Sequence, residues 1–151
     1  MGTELTHGFY SAIQLNFIMH MRMIMAKNEK FAELDASGIT ADCLVETSNG
    51  WDGSPLPDYP AGKPVISIYR YVFPPHTVTA DHFHKIINCG AVTKGQLTLV
   101  CANGKEKTVL AGEAVVEIDG EVHHGENRGD TPAEVIMFYA GDGKTPFSFP
   151  A

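Results

Sequence analysis

The chain is short of basic residues: 11 Lys and Arg stand against 18 Asp and Glu over 151 residues, a formal −7. That balance argues against nucleic acid as a partner, because binding it rests on neutralising phosphates with Lys and Arg. Cysteine is scarce too. Cys43, Cys89 and Cys101 are an odd number and form no CxxC pair, which speaks against a disulfide scaffold and for a reducing cytoplasm. Each is expected to be a small buried hydrophobe. No Gly-rich phosphate loop, GxSxG elbow, HExxH helix or paired-carboxylate pattern is present, and with them go the chemistries those motifs serve. Long apolar runs are missing as well. Gln14, Asn16, His20 and Arg22 interrupt the most apolar stretch, and Glu4 precedes any Lys or Arg, so neither a spanning helix nor a signal peptide is expected.

Proline is absent before Pro55, while five of the six Met lie in the first 25 residues. This composition shift suggests an N-terminal arm over residues 1–30 and a compact domain over 31–151. From Leu15 the odd positions are Leu, Phe, Met, Met, Met and Met, a loose period of two that suits a strand with one apolar face. Met is an equally good helix former. The arm is read either as an edge strand swapped onto a partner or as a loosely ordered extension. There is room for one short helix between Lys27 and Leu34.

What is abundant is turns, short strands and histidine. A Gly/Pro-rich loop runs from Gly50 to Gly62. Strand signals then follow closely, at Pro64–Phe73, Gln96–Cys101, Lys105–Leu110, Glu113–Ile118 and Ala133–Ala140. Asn103-Gly104 supplies a hairpin signal between two of them. No helical period of ten or more residues appears after residue 64. The class is all-β, a sandwich or barrel.

His76, His82, His84, His123 and His124 are five of the seven histidines. His82 and His84 are spaced i, i+2, so on a strand both imidazoles project from one face. If that face looks inward, two nitrogens converge on one ion and His123 is placed to add a third. His124 should point the opposite way, and His76, after Pro74-Pro75, belongs in a solvated turn. Cys89 should face away from Asn88. The acids Glu113, Glu117, Asp119, Glu121 and Glu126 are read as a solvated surface, one of them a candidate partner for a histidine N–H.

These spacings resemble the cupins, whose first motif is G-x5-H-x-H-x3-4-E-x6-G and whose second is G-x5-P-x-G-x2-H-x3-N. The first falls on His76, His82, His84, Asn88 and Gly95, departing at the opening Gly and at the Glu. The second falls on Gly112, Ile118, Gly120, His123 and Asn127, departing only at Pro. The resemblance covers about residues 64–140. The leader from Trp51 to Pro60 and the run from His82 to Asn88 look like a bacterial single-domain subgroup that carries Asn in place of Glu. The resemblance implies a single jelly-roll, or double-stranded β-helix, barrel and a homodimer. It also implies a divalent transition metal (iron, manganese, nickel, zinc or copper) on His82, His84, His123 and Asn88.

With Asn88 neutral, three histidines leave such an ion a formal +2, which favours a small organic anion as ligand or substrate. A metal-dependent oxygenase or isomerase is one expectation. A non-catalytic module that binds or senses a small ligand is a second, and a metal-free structural barrel a third. Fold alone does not choose among them.

Overall fold

The structure, a computed structural model, describes residues 39–151. The arm expected over 1–30 and the helix expected at Lys27–Leu34 lie outside the described residues. Leu44–Ala151 forms one compact unit. Its strands are β1 (Val65–Phe73), β2 (His82–Phe83), β3 (Ile87–Lys94), β4 (Gln96–Cys101), β5 (Glu106–Leu110), β6 (Ala114–Val116), β7 (His123–Glu126), β8 (Ala133–Gly141) and β9 (Phe149–Pro150). They make two antiparallel sheets, ordered β1-β8-β3-β6 and β5-β4-β7-β2-β9. The architecture is all-β, two antiparallel sheets, and no helix occurs among the described residues.

Alternation along the strands sorts side chains to two faces. On β8, Ala133, Val135, Met137 and Tyr139 are buried while Glu134, Ile136 and Phe138 are half-buried on the other face. Leu97 and Leu99 of β4 and Val92 of β3 join them in the core, with Ile86, Val109 and Val115. Burying each such side chain stabilises the fold by about 1.5–3 kcal/mol. β8 is the axis of its sheet: it pairs with all nine residues of β1, from Val65↔Gly141 to Phe73↔Ala133, and on its other side with β3.

The hairpin expected at Asn103-Gly104 joins β4 to β5, but with a longer turn than the two-residue form. Gly104 N–H donates to the Cys101 carbonyl and Cys101 N–H to the Lys105 carbonyl, both at 2.9 Å. Gly104 has φ 86° whereas Asn103 keeps negative φ, so glycine takes the one left-handed position of a turn with a bulge. The cysteines differ from the expectation of three buried thiols. Cys101 is buried, Cys89 half-buried and Cys43 exposed, because Cys43 lies on irregular chain before the first strand.

Candidate metal centre

β2 and β7 pair antiparallel with His82 directly opposite His123. His84 follows β2 and bridges to Asp119. The period of two then brings His84 back to the face of His82, and the three imidazoles close into a triangle. Their ring centroids are 5.0 Å apart for His82–His84, 4.7 Å for His82–His123 and 5.0 Å for His84–His123. One nitrogen from each lies within 4.8 Å of the others. His84 and His123 are buried, at 5 % and 1 % exposure.

Each ring is held through its Nδ1 by a backbone carbonyl. His82 donates to Ala80 O at 2.8 Å, His84 to Phe147 O at 2.6 Å and His123 to Glu121 O at 2.9 Å. A carbonyl only accepts, so Nδ1 carries the hydrogen and the neutral ring presents its lone pair at Nε2. That is the tautomer and restraint a metal-binding histidine needs. Burial pushes His84 down to about 4, and burial also lowers His123. These two rings are therefore neutral at pH 7. The Nε2 of His123 is buried without a hydrogen-bond partner. The donor set fits a divalent transition-metal ion.

The triangle opens into a cavity of 690 Å³ between the sheets, lined also by Asn88, Leu97, Leu99, Met137, Tyr139 and Phe147. Asn88 is 2 % exposed with an unpartnered Nδ2; it shares the cavity with the histidines, and its register partner is Tyr139. Tyr139 stacks on Phe147 with centroids 4.5 Å apart, and its hydroxyl lies 3.1 Å from that of Tyr71. Burial, then the Tyr71 hydroxyl, raise its pKa, so it remains a phenol. Among the described residues, no Lys or Arg lines this cavity. Asp81, the one formally charged lining residue among those described, is 2.8 Å from His124 Nδ1.

His124 faces away from the triangle, between Asp81 and Glu126. Burial lowers its affinity for a proton, but those two acids outweigh burial and raise its pKa. His76 sits in a turn at φ 56°, 3.1 Å from Asp130. Asn127 holds no candidate ion. Its Nδ2 donates to the carbonyls of Phe73, Pro74 and Thr131, and its Oδ1 accepts from Gly129 N–H.

Glu117 overturns the reading of the acids as a solvated surface. It is 7 % exposed, with Oε2 3.5 Å from His123 Nε2. Burial pushes its carboxyl up to about 7, opposed by the charge of His82 and by the Trp51 indole. The signal was alternation: Val115 and Glu117 are spaced i, i+2, so the inward face of β6 continues onto a carboxylate. The three carbonyls that orient the rings carry no signal in residue type at all.

Residues 69–139 match the model of a family described as cupin domain. Among solved structures, the polyketide cyclase RemF from Streptomyces resistomycificus is 20% identical, covering 60% of this chain and 63% of that chain, at a TM-score of 0.50. That likeness concerns the fold alone. An uncharacterised conserved protein with a double-stranded β-helix domain from Klebsiella pneumoniae is 20% identical over 60% of this chain and 87% of that chain, at a TM-score of 0.49. An oxalate oxidase in complex with the substrate analogue glycolate is 28% identical over 49% of this chain, at a TM-score of 0.44. The match spans 41% of that oxidase's length. No curated protein matches the sequence.

Proposed function

From the premise that residues 69–139 are a cupin domain, we propose that His82, His84 and His123 hold a divalent transition-metal ion, with Asn88 beside it. The centre takes a small organic anion from the cavity. One observation carries this reading: three backbone carbonyls occupy three Nδ1 atoms, and so leave three Nε2 lone pairs on rings packed into one triangle. A metal-free structural barrel has no use for that arrangement, which buries polar nitrogen at a cost of about 1–3 kcal/mol for each unpartnered atom.

The anion follows from the lining. With no Lys or Arg facing the cavity among the described residues, the ion is the positive charge that recognises a ligand there. When bound, the metal supplies Lewis-acid or redox chemistry of the kind used by oxygenases and isomerases. The chain's own groups do the rest. Leu97, Leu99, Met137 and Phe147 exclude water and give the ligand an apolar wall. Asn88 offers a neutral amide and Tyr139 a phenolic hydrogen, adjacent across β3 and β8, to orient an anion's oxygens. β1 forms an edge of its sheet and exposes Val65, Ile66, Ile68 and Val72, which supports a homodimer formed along that edge. Three free thiols support a cytoplasmic setting.

Metal analysis of protein purified without a histidine tag tests the reading. About one equivalent of transition metal after reconstitution is expected, falling sharply in His123→Ala; less than about a tenth of an equivalent refutes it. Oxygen uptake and turnover with a panel of carboxylates, diketones and thiols then separates an enzyme from a binding module.

A further inference from the structure

The two walls of the cavity change character in the same direction. On β8 the inward positions Tyr139, Met137 and Val135 all line it. On the facing sheet the lining runs from His123 to Gly125, which pairs with Leu99, and on to Leu97. Each step of two residues covers about 6.7 Å of strand. The histidine triangle and Tyr139 therefore stand at one end, and the wall beyond them is aliphatic over about 13 Å. Its side chains, Leu97, Leu99, Val135 and Met137, are at most 7 % exposed.

Gly125 is the bare position in that wall. Its φ is not positive, so the backbone does not call for glycine. Its N–H donates to Thr79 Oγ1 and its carbonyl accepts from Thr79 N–H, both at 2.9 Å. Crowding does not call for glycine either. A Cβ there would meet nothing nearer than Leu97 Cδ1 at 3.5 Å, whereas at Gly90 it would run into Met137 Sδ and the Ile136 carbonyl. What the missing side chain leaves is open space, one step along the strand from His123. We propose that this space is a tail subsite: the ligand is a monoanion whose charged head meets the metal while an apolar body, acyl or aryl, lies over Gly125 against the aliphatic wall. This rests on the three-histidine reading above and narrows its anion.

Size and charge agree with that class. The cavity's 690 Å³ is room for roughly 20 water-sized groups of about 30 Å³ each. An acetate-sized head alone uses roughly a sixth of it. The remainder would hold water against side chains that offer it no hydrogen bond. An apolar body placed there instead gains about fourfold in affinity for each methylene buried. A second charge at the far end would be buried beside Leu97 and Val135, and no Lys or Arg among the described residues lines the cavity to meet it. Short dicarboxylates are excluded on that ground.

Calorimetric titration of the zinc-loaded protein with acetate, hexanoate, adipate and phenylpropionate tests the proposal. Methyl NMR of isotope-labelled methionine runs alongside, with the Met137 signal assigned by Met137→Leu. Hexanoate is expected to bind at least about 30-fold more tightly than acetate, and adipate no more tightly than acetate. The Met137 methyl should shift with hexanoate and stay in place with acetate. Phenylpropionate tighter than hexanoate marks an aryl body, and the reverse order an acyl one. In Gly125→Val the added methyls fill the subsite, so hexanoate should fall to within about threefold of acetate. Gly125→Ala, whose Cβ fits, should lie between Gly125→Val and wild type, and it replaces the larger variant if that one does not fold. Equal binding of acetate and hexanoate by wild type, adipate as tight as hexanoate, or a full hexanoate preference in Gly125→Val overturns the tail subsite and leaves the metal reading standing. Wild type that takes up no zinc overturns the metal reading. The subsite is then read in metal-free protein, where millimolar hexanoate should still shift Met137 and an unmoved signal overturns it too.

Discussion

Replacing Glu117 with Gln should change how the metal-free protein responds to pH, and the amount follows from two buried groups. Glu117 has its carboxyl raised from 4.5 to about 7. Between those values the native state holds a proton that the unfolded state has lost, so stability falls as pH rises through the window. Above pH 7 the accumulated loss is about 3 kcal/mol, at about 1.4 kcal/mol per pH unit. His84 works the other way. Its ring is lowered from 6.5 to about 4 by burial, so the unfolded state binds the extra proton, and stability is lost as pH falls through that range. In wild type the two slopes oppose each other between about 4.5 and 6.5. Glu117→Gln removes one of them. Urea unfolding in chelator at pH 4.5–8.5 should show the variant gaining on wild type by about 3 kcal/mol from the acid to the alkaline end. The buried amide shifts the whole curve but not its slope. Parallel curves for the two proteins would refute the burial assigned to this carboxylate.

Asn88→Glu adds a carboxylate to a buried position facing the cavity, so metal binding should tighten and a bound anion should weaken, read by paired calorimetric titrations; unchanged metal affinity means that Asn88 does not face the ion. Asn127→Ala strips the Phe73, Pro74 and Thr131 carbonyls of their donor, and should cost about 1–3 kcal/mol in chemical denaturation without altering metal uptake. Gly90→Ala would set a Cβ 2.6 Å from the Ile136 carbonyl oxygen and against Met137 Sδ. With backbone on one side, overpacking should lower stability by about 1–3 kcal/mol, visible as a reduced Tm.

The residues that were easiest to read in the sequence were those whose pattern depends on neighbours along the chain. β4 is Gln96–Cys101 as its alternation suggests, and β1 and β8 fall within a residue of the expected bounds. The His82/His84 spacing placed both rings on one face, and the motif spacing brought His123 to them. β3 was harder to see, because its inward positions are Asn88, Gly90 and Val92. A cavity-facing amide and a glycine fitted under Met137 erase the apolar alternation that marks a strand. β2 and β9 contain two residues each, too few to carry a period. Glu117 was hidden for another reason. A carboxylate is normally solvated, and only the pairing of β6 with β3 shows that this one turns inward toward His123. Glu121 and Glu113, close to it in sequence, are exposed as expected.

The central claim is that His82, His84 and His123 converge on one ion in the cavity. X-ray diffraction from metal-reconstituted crystals, recorded on both sides of the metal's absorption edge, tests it most directly. A single anomalous peak about 2.0–2.2 Å from the Nε2 atoms of all three rings is the predicted result. A peak elsewhere on the protein, or none in crystals soaked with the metal, would contradict it.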